Sequence, residues 1–380
     1  MIGLCIKYFH ENYGGMLQAF ATTKIIEKKG IEYELIRYEK QLTLAEKIRF
    51  IPRVFNRVLI NDKVEAFIKK RGKKKHPQFS CNDRVRMEAF AKFREKNFAG
   101  KERIYKGYKN LCEGAGNYEA VITGSDQLWS PAGLPTNFYN LMFVGDGIKK
   151  ISYASSFGVS SIPWYQRGRT RKFLERIDYI SMRENRGSEI VRELTGRKPL
   201  TVLDPVFMLS CDEWKEYIPD ERVYEDKYVF AYFLGNNEEH RSFVKKYAKE
   251  HGIKIVTLRH LDQYVDSDEQ FGDYAPYDVA PDKFLNLLRN AETVFTDSFH
   301  GMCFSVINHK QFMVFNRYDA NAKHSKNSRI DTMCDNLGLS KNRFKGQDSE
   351  VNIIDYTQVD KVVEKLRSEA DEYLNECLFN

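Results

Sequence analysis

The stretch that decides the fold is residues 293–307, which read TVFTDSFHGMCFSVI. Its apolar start, residues 293–295, predicts the end of a buried strand, and the apolar run 302–307 predicts a helix. A strand that turns into a helix through small polar residues and a glycine presents unpaired backbone N–H groups, which attract anions. His300 adds the side chain whose ordinary pKa lies nearest neutral pH. The stretch therefore predicts an anion site that contains a histidine; a core histidine that caps its own helix is the alternative.

Strand and helix patterns alternate on the N-terminal side of this stretch. The chain opens with a strand pattern over residues 2–7, a glycine turn, an amphipathic helix and a strand pattern over residues 33–37. A second strand–helix series begins at residue 228 and leads to the stretch itself. This alternation predicts an α/β protein with Rossmann-like parallel sheets. The first turn lacks the G-x-G-x-x-G spacing, so we infer no dinucleotide site.

The length of 380 residues exceeds the usual size of one hydrophobic core, which predicts two domains. We place an N-terminal domain, on the acceptor side, at residues 1–176, with a basic helical insertion at 41–110. A C-terminal domain, on the donor side, is expected at 177–355. A charged amphipathic helix follows at 356–380, and packing back on the N-terminal domain is one option for it.

Composition is typical of a globular protein, with 42% hydrophobic and 30% charged residues. The sequence has no apolar run long enough to predict a membrane span. Seven scattered cysteines without a C-x-x-C pair favour a reducing compartment and argue against disulfides or a zinc cluster. We therefore expect a cytoplasmic protein, with peripheral attachment to the inner face of the membrane as an option, and we predict neither a metal site nor a cofactor.

Positive charge is concentrated in residues 46–76. This segment holds eleven Lys or Arg and three acids, a net charge of +8, whereas the whole chain carries +7. Because the rest of the chain is close to neutral, a protein-wide nucleic-acid surface is not expected. The segment is interpreted either as a solvated helical surface or as a surface that contacts anionic membrane.

Six short motifs, each at a predicted turn, occur in a fixed order along the chain. They are Asn12-Tyr13-Gly14-Gly15-x-Leu17-Gln18-Ala19, Gly124-Ser125-Asp126-Gln127-x-Trp129, Tyr153-Ala154-Ser155-Ser156-Phe157-Gly158, Ser181-x-Arg183-Glu184, Leu203-Asp204-Pro205 and Thr296-Asp297-Ser298-Phe299-His300-Gly301. Together they resemble the polysaccharide pyruvyl transferase family, from the first strand to about Leu337. The insertion at 41–110 and the tail after residue 340 are not covered by the resemblance.

The resemblance implies a GT-B-like fold, in which two Rossmann-like domains face each other across a cleft. It also implies transfer of a pyruvyl group from phosphoenolpyruvate, as co-substrate, onto two hydroxyls of a sugar, which yields a ketal and phosphate. The family's donor-binding arginine matches Arg183, and its histidine matches His300. Some members carry an arginine where this chain has Ser298, so one cationic contact to the donor would have to come from elsewhere.

This chemistry needs a proton for C3 of the donor and cations for its phosphate and carboxylate. The planar guanidinium of Arg183 can hold an oxyanion through two hydrogen bonds, although a surface pair of Arg183 with Glu184 is the alternative. His300 is a candidate general acid or phosphate contact. Asp126 is the candidate acceptor of protons from the sugar, with a turn-forming side chain as its alternative.

Further candidates are assigned to the two substrates. Trp129 is assigned to sugar stacking, although a tryptophan of this kind is more often part of a core. Asp204, which precedes a proline, is interpreted as a turn at a strand end. The donor-side candidates are Ser298, Phe299, Gly301, His324 and Arg329, and the acceptor-side candidates are Asn12, Gln18, Trp129 and Ser156.

The expected activity is therefore that of a ketal pyruvyltransferase acting on a surface polysaccharide or its lipid-linked precursor. The expected partners are phosphoenolpyruvate and a sugar or lipid-linked oligosaccharide, with no nucleic acid. Fold alone does not determine function, so two alternatives stay open. One is a GT-B glycosyltransferase that uses a nucleotide sugar, and the other is a non-catalytic partner in polysaccharide assembly.

Overall fold

The computed structural model describes residues 1–41, 64, 71, 75–260, 263–317 and 328–380, and these contain eleven strands and eleven α-helices. The strands are β1 (Ile2–Cys5), β2 (Tyr33–Glu39), β3 (Glu102–Lys106), β4 (Ala120–Thr123), β5 (Lys149–Ser155), β6 (Tyr179–Met182), β7 (Leu200–Thr201), β8 (Tyr228–Tyr232), β9 (Lys254–Thr257), β10 (Thr293–Thr296) and β11 (Gln311–Val314). The helices are α1 (Tyr13–Lys28), α2 (Pro77–Phe98), α3 (Tyr108–Ala115), α4 (Arg167–Arg176), α5 (Asn185–Thr195), α6 (Cys211–Tyr217), α7 (Glu238–His251), α8 (Pro281–Arg289), α9 (Phe299–Ile307), α10 (Ser328–Leu337) and α11 (Tyr356–Phe379).

The strands form two parallel sheets. The first has the order β3-β2-β1-β4-β5-β6-β7 and the second the order β11-β10-β8-β9. Every residue of β4, β8 and β10 is buried, as expected for parallel strands covered by helices on both faces. The predicted α/β class with two Rossmann-like parallel sheets is confirmed.

The predicted domain boundary between residues 176 and 177 is wrong. β6 pairs in parallel with β5 and β7 with β6, so the first sheet continues to Thr201. Periodicity shows that a segment is a strand, but it does not show which sheet the strand joins. The second sheet begins only at Tyr228.

The predicted insertion at 41–110 is only partly helical. α2 and the first residues of α3 lie in it, but so does β3, which pairs with β2 at the edge of the first sheet. Most of the basic segment 46–76 lies outside the described residues. From α2, the guanidinium of Arg86 donates to the carbonyl oxygen of Arg259 at 2.9 Å, which joins this helix to the second domain.

Two further contacts hold the domains together. The ring of Tyr13, at the start of α1, stacks on Phe284 of α8 with centroids 4.7 Å apart. The terminal helix α11 returns to the first sheet, where the Tyr373 hydroxyl donates to the carbonyl oxygen of Ser152 at 2.9 Å. Within the described ranges, no helix has the length and apolar character needed to cross a membrane.

Candidate active site

A buried ion pair lies at the carboxyl edge of the first sheet. Arg183 follows β6 directly, and Asp204 lies in the loop after β7. Their closest atoms, Arg183 Nη1 and Asp204 Oδ2, are 2.7 Å apart, and neither side chain is exposed to solvent. Asp204 Oδ2 also accepts a hydrogen bond from Ser125 Oγ at 2.9 Å. Burial alone would raise the pKa of Asp204, but His300 and Arg183 outweigh it and hold this pKa well below its usual range.

Asp126 lies on the other side of the same guanidinium. Its Oδ1 is 3.6 Å from Arg183 Nη2, and its side chain is 20% exposed. Burial would raise the pKa of Asp126, but Lys7 and then Arg183 lower it well below its usual range. Asp126 is therefore a carboxylate at neutral pH, and its side chain is in reach of solvent.

His300 reaches this group from the second domain. It lies in the first turn of α9, and its Nε2 is 3.5 Å from Asp204 Oδ2. No hydrogen-bond partner of Nε2 is found among the described residues. The alternative of a histidine that caps its own helix is not what the structure shows, because the Ser298 hydroxyl accepts from the amide of Gly301 and forms the cap.

The imidazole packs directly against α1 of the first domain. A Cβ atom added at Gly14 would lie 2.3 Å from His300 Cγ, far inside van der Waals contact. At the neighbouring Gly15 the nearest atom to an added Cβ would be Asn12 Oδ1, at 3.4 Å. Gly14 thus allows the N-termini of α1 and α9 to meet with the histidine between them.

Gly14→Ala is expected to displace His300 and to lower activity strongly, with a cost in unfolding free energy of about 1–3 kcal/mol for the overpacking. Gly15→Ala, on the same helix turn, is the matched control and should leave activity near that of the wild type. Turnover and urea unfolding of both variants test this. Equal activity of the two would show that the contact between Gly14 and His300 does not position the imidazole.

A second arginine joins the site from α10. The centre of the Arg329 guanidinium is 5.4 Å from the centroid of the Phe299 ring, and that of Arg183 is 4.8 Å from the same centroid. Burial and the charge of Arg183 lower the pKa of Arg329 to about 10, so it remains a cation at neutral pH. Arg183 Nε and Nη2 and Arg329 Nε are buried without hydrogen-bond partners among the described residues. A small anion would supply the missing acceptors.

One donor-side prediction, that of Gly301, needs correction. The amide of Gly301 is not available to phosphate, because Ser298 Oγ accepts its hydrogen bond at 3.3 Å. Gly301 is required instead for packing, since an added Cβ would lie 2.6 Å from Thr296 Oγ1. Phe299 and Arg329 do lie beside Arg183, as described above. His324 lies outside the described residues.

The prediction that Trp129 stacks on the acceptor is wrong. Its side chain is 3% exposed, and its indole N–H donates to the carbonyl oxygen of Tyr139 at 3.0 Å. The ring packs against Phe157 and Phe173 in a core cluster of the first domain. An apolar site with one backbone acceptor satisfies a tryptophan completely.

The other acceptor-side candidates form hydrogen bonds within the protein. Gln18 is fully buried and donates to Thr22 of its own helix. Asn12 is exposed, but its Oδ1 caps α1 by accepting from the amide of Gly15 at 2.8 Å. Ser156 is buried and donates to Glu184 Oε1 at 2.8 Å. Burial and internal hydrogen bonds account for Gln18 and Ser156, because such bonds favour the same residue types as substrate binding does. The role of the exposed Asn12 at the acceptor stays a prediction.

The surroundings of Glu184 and Asp204 differ from those that the sequence suggested. Glu184 is buried rather than part of a surface pair, and burial raises its pKa. Asp204 does form the expected turn, since it accepts from the amide of Val206, but it is also the main partner of Arg183. Its position inside one of the six motifs was the signal that could have identified it. Lys7, which follows β1 and lowers the pKa of Asp126, was not predicted as a site residue either.

None of the described residues forms a group of three or more His, Cys, Asp or Glu side chains that could hold a metal ion. The described residues do place two arginines, a histidine and two ionised carboxylates where the carboxyl edges of the two sheets meet. Open α/β sheets bind their ligands at such edges.

The family model for polysaccharide pyruvyl transferase matches residues 12–319. No curated protein matches the chain. Similar solved structures include a UDP-GlcNAc 2-epimerase from Methanocaldococcus jannaschii, with 12% identity, 96% of this chain and 91% of that chain covered, and a TM-score of 0.49. They also include the UDP-GlcNAc 2-epimerase from Neisseria meningitidis, bound to UDP-GlcNAc, with 11% identity, 98% and 94% covered, and a TM-score of 0.49. The heptosyltransferase II of E. coli has 8% identity, 97% and 99% covered, and a TM-score of 0.36.

Proposed function

The chain belongs to the polysaccharide pyruvyl transferase family, and from this premise we propose that it transfers a pyruvyl group from phosphoenolpyruvate onto two hydroxyls of one sugar. The sugar belongs to a surface polysaccharide or to its lipid-linked precursor. One observation carries the proposal: Arg183 and Arg329 both lie against the ring of Phe299, next to His300. Two cations and a proton-transferring group are what this donor requires.

The two arginines account for donor binding. Phosphoenolpyruvate carries a phosphate and a carboxylate, so it brings at least two negative charges. Arg183 has Nε and Nη2 without hydrogen-bond partners among the described residues, and a guanidinium can hold an oxyanion through two such atoms. Arg329 supplies the second cation, which compensates for Ser298 at the position where some family members carry an arginine.

The carboxylates and the histidine account for the proton transfers. His300 gives a proton from Nε2 to C3 of the donor, and C2 becomes electrophilic. The two sugar oxygens bond to C2, and the bond between C2 and the phosphate oxygen breaks. Asp126 accepts the hydroxyl protons; one of them restores His300 and the other leaves with the phosphate. Asp204 acts as a positioning residue, since it holds Arg183 and lies 3.5 Å from His300 Nε2.

Incubation with phosphoenolpyruvate and candidate glycans tests the reaction directly. Mass spectrometry should find the pyruvyl ketal on the glycan, with one phosphate released per product. Phosphoenolpyruvate should also protect against heat unfolding, by about 2.7 kcal/mol at one hundred times its Kd, because it binds the folded chain only. Protection by a nucleoside diphosphate instead would favour the glycosyltransferase alternative. Absence of phosphate release with every acceptor would favour the non-catalytic alternative.

A further inference from the structure

We propose that an exposed face of the first domain docks on the surface of an anionic membrane. We call it the Trp164 face, and it consists of Trp164, Tyr165, Arg167, Arg169, Arg171 and Lys172. It is distinct from the basic segment 46–76, which the sequence suggested for membrane contact. The benefit of docking rests on the proposed lipid-linked acceptor, but the docking itself does not depend on the donor chemistry.

The aromatic part of this face is unusually exposed. Trp164 is 84% exposed and Tyr165 is 44% exposed, and their rings meet edge to face with centroids 5.8 Å apart. The other two tryptophans of the chain, Trp129 and Trp214, are 3% and 0% exposed. An exposed tryptophan beside a tyrosine marks a contact surface, and both rings are favoured at the level of lipid headgroups.

The basic part of the face lies on α4, which begins shortly after the two aromatic residues. This helix buries Thr170, Phe173 and Leu174, and Arg167, Arg169, Arg171 and Lys172 are exposed. Residues 158–174 contain no acid. Within α4 one carboxylate opposes the cations, that of Glu175, which pairs with Arg171 at 2.7 Å. The face therefore combines amphipathic rings with a net positive charge, as surfaces that bind anionic bilayers do.

The loop that leads to this face starts at the candidate active site. This loop follows β5 and begins with Ser156. Arg186 Nε donates to the carbonyl oxygen of Ser160 in this loop at 2.6 Å. Arg186 belongs to α5, which begins directly after Arg183 and Glu184. A bilayer at the Trp164 face would thus be joined through one short loop to the sheet edge that carries Ser156 and Arg183, and we infer that a lipid-linked sugar enters from this side.

The full chain offers a direct reporter, since Trp164 is the single exposed tryptophan of the three. We expect vesicles of phosphatidylcholine with phosphatidylglycerol to shift its fluorescence to the blue and to protect it from acrylamide quenching at low salt. Vesicles of phosphatidylcholine alone should do neither, and high salt should reverse the effect. The Trp164→Phe variant should lose the fluorescence change, which would show that the change comes from Trp164.

The triple variant Arg167→Gln, Arg169→Gln, Lys172→Gln should bind the anionic vesicles roughly 100-fold more weakly. The matched control changes three exposed lysines of α7 in the second domain, Lys245→Gln, Lys246→Gln and Lys249→Gln, and should bind like the wild type. Circular dichroism of both variants verifies folding. Because the assay contains no donor, its result is independent of whether pyruvyl transfer occurs.

Three outcomes would overturn the proposal. One is an unchanged Trp164 signal with anionic vesicles, even if the protein binds them through other residues. The second is equal loss of binding in the two triple variants. The third is an equal shift with soluble polygalacturonate, which would identify an acidic polymer rather than a bilayer as the partner.

Discussion

His300→Ala is expected to lower turnover by about 10²–10⁴-fold while phosphoenolpyruvate still binds, because the variant loses the group that gives a proton to C3. The structure supports this separation of donor binding from proton transfer. Arg183 and Arg329 lie together at the Phe299 ring and can hold the donor's anionic groups. His300 Nε2 makes no hydrogen bond within the described residues, although it lies 3.5 Å from Asp204 Oδ2, so a substrate atom can still take its proton. Single-turnover kinetics and heat-protection measurements separate turnover from binding.

His300→Gln distinguishes an acid from a phosphate ligand. Glutamine donates a hydrogen bond but cannot transfer a proton at neutral pH. If His300 only holds phosphate, this variant should recover much of the donor binding and the activity. If His300 is the acid, turnover should stay as low as in His300→Ala. Near-normal turnover of His300→Ala would show that another residue protonates C3.

Asp204→Ala is expected to lower the free energy of unfolding by about 3–5 kcal/mol, because it leaves a buried arginine without its main partner. Asp126 remains in reach of Arg183, but at 3.6 Å it lies beyond hydrogen-bond distance. Asp126→Asn is the matched control. Its side chain is partly exposed, so it should lose activity with a much smaller loss of stability. Urea unfolding of both variants tests the difference, and equal stability losses would contradict the central role of Asp204.

The contribution of Asp204 should also depend on pH. Its pKa in the folded protein is held below the ordinary value of about 3.9, so the unfolded chain binds a proton first as pH falls. The stability that the carboxylate contributes is therefore complete above about pH 5 and is lost as pH falls through the folded-state pKa. The stability difference between wild type and Asp204→Asn should shrink as the pH falls below about 5. A difference that grows on acidification would exclude this account.

The candidate site could be predicted in part, because strand ends in α/β proteins face the ligand. Arg183, Asp126 and His300 each belong to a motif at a predicted turn, and the structure brings them to one place through Asp204 and Arg183. The Trp129 prediction failed for a general reason. Sequence shows that an aromatic residue follows a strand, but burial against Phe157 and Phe173 depends on segments far along the chain.

The parallel α/β class, the strand-to-helix turn at His300 and the family resemblance could all be inferred without the structure. These depend on local periodicity, on turn chemistry and on the order of short motifs. Tertiary structure alone decided that β6 and β7 extend the first sheet, that Asp204 pairs with Arg183, and that Gly14 makes room for His300. Each of these is a contact between segments that are distant in sequence. Such contacts are selected by the packing and pairing of the whole chain, and residue type at one position does not encode the partner.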